Sequence, residues 1–513
     1  MNFPARQRAA HEVLNTKLFD WPGHPNTKEY TIGDICRGVA VFGSTGSGKT
    51  SGSLKFIAKN LLANQFGGVV FCIKKDERKT WEDYLDETGR SGDKVIFDVD
   101  SNFQFNPLLY EVIREGDGAN DTANLLEIMM KLYLMGQNFS AGGTSRADER
   151  FWEQAMRRAL NRTIDLLKLS SQNITFMNIR KVIVSAPDKY DVDNYYTILR
   201  DVNNQQIASE EKEELAAELT DKKNKSFCLS CVIDAGLEED FTEDEIETYK
   251  LVRGYFLKEF AELNERTRSI VVESALGIIE PFLSGILNKQ FSKKVSDDIR
   301  PEKAFTEGKV IIVDFSVKEY GISGIYAMGI YKYMYQQTIE QRELNSPNET
   351  FRPVFMFTDE AHYLQLGESD TLFASTARSS LCAIINGSQN LPNYIMAMGS
   401  ENAEARAKSL LANLTTHIFH ANASYETNMY ASKMIGKIRR NKETINLRED
   451  RRGDFSITEQ LEDRFLPADF TILKTGDLEN KAKVEGVVFQ TGRKRIVDGE
   501  DQNYLVIEFD QNF

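Results

Sequence analysis

The chain has 513 residues, of which 41% are hydrophobic and 27% are charged, a composition typical of a globular protein with more than one domain. Its net charge of −14 excludes a surface that binds nucleic acid everywhere, so any nucleic-acid contact needs a local basic lining. Five cysteines are typical of a reducing cytoplasm, and no apolar run approaches the roughly 18 residues of a transmembrane helix.

The amino-terminal segment is polar, and we expect one helix over Arg6–Lys17 followed by a loop. The first strong motif comes next and matches G-x-x-x-x-G-K-[ST], the phosphate-binding loop. An apolar strand pattern, Gly38–Phe42, precedes it, and apolar residues at helical spacing follow it over residues 51–64. The motif consists of Gly43, Ser44, Thr45, Gly46, Ser47, Gly48, Lys49 and Thr50.

The residue types of this loop indicate what it binds. Its glycines let backbone N–H groups turn inward around phosphates, and the following helix N-terminus adds positive potential. We expect Lys49 to contact the β- and γ-phosphates and the Thr50 hydroxyl to bind Mg²⁺. The sequence therefore predicts a nucleotide-binding protein.

Buried strands alternate with helices on both sides of a long helical stretch. Gly67–Ile73 and Lys94–Asp98 predict two strands, which is an α/β pattern. Helical periodicity then dominates to about residue 288, including the charged stretch Ser209–Lys225, expected to be a solvated helix or a mobile loop. We interpret this span as an all-α insertion, which divides the chain into residues 1–120 (amino-terminal segment and first part of the nucleotide-binding domain), 121–300 (insertion) and 301–513 (second part).

The second part of the α/β domain contains further predicted strands and an acidic motif. Asp359-Glu360 follows the apolar run Val354–Phe357. We expect Asp359 to bind Mg²⁺ near Thr50 and Glu360 to orient and deprotonate an attacking water. The predicted strands are Gly308–Phe315, Val354–Phe357, Cys382–Asn386 and Thr416–His420, with an edge hairpin of Val484–Phe489 and Tyr504–Phe509.

Two polar residues near the Cys382–Asn386 strand are candidates for a role in hydrolysis. Gln389 follows the strand and is placed to sense the γ-phosphate. Arg378 precedes it and is a candidate for an arginine that reaches a neighbouring subunit's nucleotide. The alternatives are an ordinary loop amide and a surface arginine.

The order of these motifs resembles that of the conjugative coupling proteins of type IV secretion, the TraG/TraD family, within the FtsK–HerA superfamily of DNA motors. The resemblance implies a RecA-like P-loop ATPase domain with a mainly parallel sheet and an inserted all-α domain. It also implies ATP and Mg²⁺ as ligands, a homo-oligomeric ring, usually a hexamer, and DNA movement, with Arg378 as trans finger and Gln389 as sensor. The matching residues are Gly43–Thr50, Lys74–Glu77, Asn106-Pro107-Leu108, Phe151-Trp152, Val313–Ser316, Asp359–His362, Ala377-Arg378, Ser388-Gln389-Asn390 and Leu410–Gly436.

The sequence departs from this family in having no amino-terminal transmembrane helices. We therefore expect a cytoplasmic motor, at most peripheral at the inner membrane through a partner, that moves single- or double-stranded DNA. The all-α insertion is the candidate site for a relaxase, nuclease or secretion partner. Two alternatives remain open, namely a nucleotide-gated switch that recruits such a partner without moving DNA, and protein translocation through the same ring.

The remaining motifs favour structural roles. We expect helix packing rather than a metal site for a lone C-x-x-C, a core role for an aromatic pair, and opposite faces of one strand for two histidines. A third histidine, shortly after the acidic pair, predicts a local hydrogen bond. A basic run is interpreted either as a contact to DNA phosphates or a neighbour in a ring, or as a solvated helix end. The residues are, in that order, Cys228 and Cys231, Phe151 and Trp152, His417 and His420, His362, and Lys433–Lys442 with Arg448, Arg451 and Arg452.

Overall fold

The structure is a computed structural model that describes residues 5–24, 29–139, 146–202, 217, 225–342, 344, 351–399, 402–447, 453–476, 479–497 and 500–512. The chain folds into two compact units. The first comprises Met1–Ser101, Pro301–Gly321 and Tyr335–Phe513, and the second comprises Asn102–Arg300 and Ile322–Met334. The charged stretch 209–225 lies outside the described residues, apart from residues 217 and 225.

The elements of the described residues are numbered in chain order. The strands are β1 (Lys17–Phe19), β2 (Tyr30–Thr31), β3 (Val39–Phe42), β4 (Gly67–Phe71), β5 (Lys94–Asp98), β6 (Val310–Asp314), β7 (Val354–Thr358), β8 (Cys382–Ser388), β9 (Thr416–Phe419), β10 (Lys437–Leu447), β11 (Gly453–Asp463), β12 (Lys483–Gln490), β13 (Arg495–Val497), β14 (Glu500–Gln502) and β15 (Tyr504–Asp510). The helices are α1 (Ala5–Asn15), α2 (Ile32–Ile35), α3 (Lys55–Ala63), α4 (Glu77–Glu87), α5 (Pro107–Ile113), α6 (Thr122–Phe139), α7 (Arg146–Leu169), α8 (Phe176–Val184), α9 (Lys189–Val202), α10 (Phe227–Gly236), α11 (Glu243–Gly254), α12 (Glu265–Ile279), α13 (Gly285–Phe291), α14 (Lys303–Thr306), α15 (Val317–Glu340), α16 (Glu368–Thr376), α17 (Leu391–Ala397), α18 (Ala403–Asn413) and α19 (Tyr425–Ile435).

The first unit is built on one large sheet with the strand order β15-β12-β9-β3-β8-β7-β4-β6-β5. The strands from β9 to β5 run parallel. Every residue of β3, β4, β7, β8 and β9 is buried. Strands that are covered on both faces need apolar residues throughout, which is why these segments are nearly continuous hydrophobic runs. The predicted α/β fold with a mainly parallel sheet is confirmed.

The carboxy-terminal hairpin forms the edge of this sheet, as the sequence predicts. β12 pairs antiparallel with β9 on one side and with β15 on the other. Residues of β15 alternate between buried and more exposed positions, since only one face of an edge strand is covered. The hairpin therefore lies beside β9, the neighbour of the phosphate-binding strand β3.

The strand order brings the carboxyl ends of four strands to one edge of the sheet. β3 is in register with β8 so that Phe42 lies opposite Ser388, and β7 places Thr358 opposite Phe71 of β4. The loops that follow β3, β4, β7 and β8 consequently meet at this edge. In open parallel sheets this edge is where ligands bind.

The second unit consists mainly of helices. The buried face of α7 repeats every three or four residues, through Met156, Leu160, Ile164 and Leu167. The expectation that Phe151 and Trp152 anchor the helical core is wrong, because Phe151 is 57% exposed. The two rings pack edge to face at 4.8 Å, one turn before the buried face of α7 begins.

The lone C-x-x-C motif lies in α10 and packs into the helical unit, as predicted. Cys228 and Cys231 are both buried. Among the described residues, no group of three or more histidines, cysteines and acidic residues is arranged to hold a metal ion.

The basic run Lys433–Lys442 is a helix end only over its first three residues, so its interpretation as a solvated helix end is wrong for the rest of the run. Gly436 adopts a φ of 88°, ends α19 and starts β10, which pairs with β11 in a two-stranded ribbon. Basic residues of β10 face acidic residues of β11, with N–O distances of 3.7 Å for Lys437–Asp463, 3.4 Å for Arg439–Glu459 and 3.9 Å for Arg440–Glu462. The acidic residues of β11 thus neutralise most of the positive charge of β10. Arg448, Arg451 and Arg452 lie outside the described residues.

In the part of the chain that the structure describes, no single helix is long and apolar enough to cross a membrane. One bent pair, Glu265–Leu283 with Gly285–Phe291, reaches that length and composition only when both helices are taken together across a 73° bend.

Candidate active site

The phosphate-binding loop connects β3 to a π-helical turn, Thr50–Leu54, that leads into α3. Gly46 and Gly48 adopt φ angles of 79° and 81°, which side chains rarely permit, so the motif's glycines are needed to form this loop. At Gly43 a Cβ atom would lie 2.4 Å from Ser47 Oγ, so the loop closes tightly on itself. Single-turn π segments inside helices are frequent at functional sites.

Four charged side chains meet at the end of this loop. Lys49 forms an ion pair with Asp359 and lies 3.8 Å from Glu360 Oε1. Thr50 Oγ1 donates to Asp359 Oδ2 at 2.7 Å. Lys74, which follows β4, lies 2.9 Å from Glu360 Oε1 and 3.4 Å from Asp359 Oδ2. The phosphate-binding loop and the acidic motif, 310 residues apart, thus form one site.

The charge of Asp359 is fixed by its neighbours. Burial alone would raise its pKa, but the ammonium groups of Lys49 and Lys74, with hydrogen bonds from Lys49 and Thr50, lower the pKa from 3.8 to about 2. Because this folded-state pKa lies below the ordinary value, the ionised carboxylate stabilises the fold above about pH 4. That contribution is lost as the pH falls towards 2.

Glu360 is held in an unusual backbone conformation. Its φ of 59° and ψ of 45° are left-handed, which costs a residue with a side chain about 1–3 kcal/mol and is found mainly at functional sites. The residue is 3% exposed, and its Oε2 atom has no hydrogen-bond partner among the described residues. An unpartnered carboxylate oxygen in a buried site is available to accept a proton or a water.

The predicted residues downstream of the acidic motif lie beside Glu360, with one exception. Gln389 Nε2 is 3.5 Å from Glu360 Oε1. His362 Nδ1 lies 3.1 Å from Ser388 Oγ, the local hydrogen bond that the sequence predicts. Burial lowers the pKa of His362, although the charge of Glu360 opposes this shift.

Arg378 does not lie in this cluster. It is exposed and precedes β8, so it is at the amino end of the parallel strands, whereas the phosphate-binding loop is at their carboxyl end. Within one chain Arg378 and Lys49 therefore lie at opposite ends of the parallel strands.

Lys74 and Glu77 are site residues to which the sequence pattern assigned no role. Glu77 Oε2 accepts from the backbone N–H groups of Ile73 and Lys74, at 2.7 and 3.3 Å, and so holds the turn that carries Lys74. Burial and the nearby charge of Asp359 raise the pKa of Glu77 to about 8. Only the strand order, which places β4 beside β7, brings these residues to the acidic motif.

His420, for which the sequence analysis expected only a structural role in a strand, and Asn422 also lie at the site. His420 bridges the helix after the loop and the edge hairpin, with Nε2 2.7 Å from Ser53 Oγ and Nδ1 2.8 Å from Glu485 O. Burial lowers its pKa to about 4, so the ring is neutral at neutral pH. Asn422 Nδ2 donates to Gln389 O at 2.8 Å, and this bond ties the end of β9 to the predicted sensor.

The residues present fit a nucleotide phosphate with Mg²⁺. The buried Ser47 Oγ atom has no hydrogen-bond partner among the described residues, and the loop around it is rich in glycine. Thr50 Oγ1 and Asp359 Oδ2 are neighbouring oxygens of the kind that Mg²⁺ prefers. Lys49 and Lys74 supply positive charge beside them.

Comparison with known protein families decides which family the chain belongs to. Residues 20–496 match the family described as type IV secretory system conjugative DNA transfer. The chain belongs to this family. Its resemblance to coupling proteins, inferred from the motif order, is therefore confirmed. A comparison with curated protein sequences finds no significant match.

Solved structures of the bacterial conjugative coupling protein TrwB share the fold. The trigonal form with sulphate is similar at a TM-score of 0.59 and 14% identity, over 100% of this chain and 94% of that chain. The unbound monoclinic form gives 0.56 and 14% over 93% and 86%. A complex with ADP and Mg²⁺ gives 0.56 and 14% over 94% and 87%. This chain thus shares its fold with the coupling protein TrwB.

Proposed function

We propose that this protein is an ATP-driven DNA motor of the coupling-protein type, which hydrolyses ATP and moves DNA through a ring of its own copies. The observation that carries the proposal is the cluster of the buried Lys49, Asp359 and Glu360 with the part-exposed Lys74, at the phosphate-binding loop of a conjugative DNA transfer family member. The TrwB complex with ADP and Mg²⁺ supports ATP as substrate and Mg²⁺ as cofactor.

In this proposal each residue of the cluster has one role. The backbone of loop 43–50 and Lys49 hold the phosphates, and Thr50 and Asp359 bind Mg²⁺. The ion, when bound, neutralises charge on the phosphate oxygens. Glu360 accepts a proton from the attacking water, since its Oε2 atom is buried and has no hydrogen-bond partner among the described residues.

Two further residues are proposed to detect the bound nucleotide and to act on the nucleotide of an adjacent subunit. Gln389, within reach of Glu360, senses the γ-phosphate. Arg378 acts in trans on the nucleotide of the adjacent subunit, which agrees with its exposed position at the opposite edge of the sheet. This role requires a ring, and we propose a hexamer. The helical unit is the proposed docking site for a relaxase, nuclease or secretion partner of this cytoplasmic motor, which reaches the inner membrane only through such a partner.

The experiment that tests the proposal is the ATPase rate with and without DNA. Single- and double-stranded DNA are each added at low salt. We expect at least one of them to raise the rate several-fold, because a motor couples ATP hydrolysis to movement along DNA. A protein that neither binds DNA nor hydrolyses ATP faster in its presence contradicts the proposal. A nucleotide-gated switch that recruits a partner would instead hydrolyse ATP slowly and bind that partner only in the ATP state.

A further inference from the structure

A concentration of basic side chains lies in the first unit, away from the phosphate-binding loop. An open cavity of about 560 Å³ is lined by Lys437, Arg464, Arg493 and Lys494, and none of the described residues that line it is acidic. Outside the lining, Asp463 lies 3.7 Å from Lys437 and Asp34 pairs with Arg493, so these two carboxylates offset part of the positive charge. The cavity adjoins the turn after β12, whose last residue, Gln490, pairs with the first residue of β9, Thr416. It therefore lies at the amino end of the parallel strands. In a chain of net charge −14, such a lining is a local exception.

Arg493, which lines the cavity and is 13% exposed, and the buried Arg495 beside it have guanidinium donors without a hydrogen-bond partner among the described residues. Arg495 is 4% exposed, and its Nη2 atom donates to Gln490 Oε1 at 2.8 Å. Its Nε and Nη1 atoms, and Nη1 of Arg493, are buried without a hydrogen-bond partner among the described residues. Arg495 pairs in register with Gln502, which lines the cavity. Buried donors without acceptors are rare in folded proteins and call for an acceptor.

The charge balance of this pair points the same way. The carboxylate that bonds Arg493 is Asp34, and its Oδ2 atom already accepts from the backbone and hydroxyl of Thr31, each at 3.0 Å. Burial, with the positive charge of Arg493, lowers the pKa of Arg495 to about 10. One carboxylate thus faces two guanidinium groups, so the site carries an excess of positive charge that an anion would balance.

We propose that this cavity binds phosphate groups of a nucleic-acid strand, an inference that rests on the proposed function as a DNA motor. Guanidinium groups match phosphate oxygens in geometry and charge. The cavity is open rather than enclosed, and its cations come from separate segments around residues 437, 464 and 493, an arrangement that suits a polymer backbone better than a small anion. The site supplies the local basic lining that an acidic protein needs to hold DNA.

The test is DNA affinity in a double variant, Lys437→Glu with Lys494→Glu. Both lysines are exposed, so the fold should persist. The matched control carries the same change of charge at two exposed lysines outside the cavity, Lys79→Glu with Lys408→Glu. Binding of a fluorescein-labelled single-stranded oligonucleotide is followed by anisotropy at several salt concentrations.

We expect the cavity variant to bind the oligonucleotide at least about tenfold more weakly than the control at low salt. Its slope of log affinity against log salt should be shallower by about 1.4, since each lost single-strand phosphate contact removes about 0.7. Equal affinities and slopes in the two variants would overturn the proposal while leaving the motor function intact. A wild type that binds no DNA would overturn both.

A second arm separates the two sources of phosphate. Wild type and cavity variant are titrated calorimetrically with inorganic phosphate. We expect no difference between them at millimolar phosphate, because the cavity engages a chain of phosphates rather than one. Loss of phosphate binding in the variant with unchanged DNA affinity would assign the cavity to a free anion and contradict the nucleic-acid proposal.

Discussion

Replacing Glu360 with Gln is expected to lower the ATP hydrolysis rate by a factor of about 10²–10⁴ while leaving nucleotide binding intact. Glutamine has the same shape and fits the left-handed backbone as glutamate does, but it cannot accept the proton of the attacking water. The remaining cluster keeps Lys49, Thr50 and Asp359, which are the proposed ligands of phosphate and Mg²⁺. The measurement is a steady-state ATPase assay beside a binding titration with a fluorescent ATP analogue.

The matched control for this variant is Glu368→Gln, which removes an exposed carboxylate at the start of α16. It should keep the wild-type rate. If Glu360→Gln hydrolyses ATP at a rate within about threefold of the wild type, the carboxylate is not the catalytic base and the proposed mechanism is wrong.

Replacing Lys74 with Met is expected to lower kcat by about 10²-fold with little change in nucleotide affinity. The Lys74 ammonium lies 2.9 Å from Glu360 Oε1 and 3.4 Å from Asp359 Oδ2, so we assign it the role of positioning both carboxylates. The positive charge of Lys74 also helps to lower the pKa of Asp359. Without it that pKa rises, so acid unfolding should begin at a higher pH than in the wild type.

The neighbouring residue offers a close control for this variant. Lys75 is exposed and pairs with Glu319 at 2.7 Å, outside the cluster, so Lys75→Met should leave both kcat and acid stability unchanged. Equal losses in the Lys74 and Lys75 variants would mean that the segment matters only for folding. A kcat loss without a shift in acid unfolding would separate catalysis from the electrostatic role of Lys74.

Most of the sheet could be predicted from the sequence because buried parallel strands have a continuous apolar pattern. Lys94–Asp98 is a strand with the bounds expected, and the carboxy-terminal hairpin pairs at the sheet edge as expected. Periodicity failed at Phe151, which an aromatic pattern placed in the core and the helix geometry places at the surface. It also failed after Gly436, where one positive φ converts a helical pattern into a strand.

The phosphate-binding loop and the acidic pair were recognisable because their spacing is local. The roles of Lys74, Glu77 and His420 at the site were not, since each role depends on which strands are neighbours. β4 lies beside β7 and β9 lies beside β3, and this order cannot be read from any single segment. Of the basic cavity the sequence indicated only Lys437, within the basic run, because the other cations come from segments around residues 464 and 493.

The central claim is that hydrolysis at the Lys49–Asp359 site moves DNA. The most direct test is ATP-dependent displacement of streptavidin from the end of a biotinylated DNA, single- or double-stranded, by wild type and Glu360→Gln. We predict displacement by the wild type with ATP, and none by the variant or with a non-hydrolysable analogue. Hydrolysis by the wild type without displacement on either DNA form would contradict the motor and favour the nucleotide-gated switch.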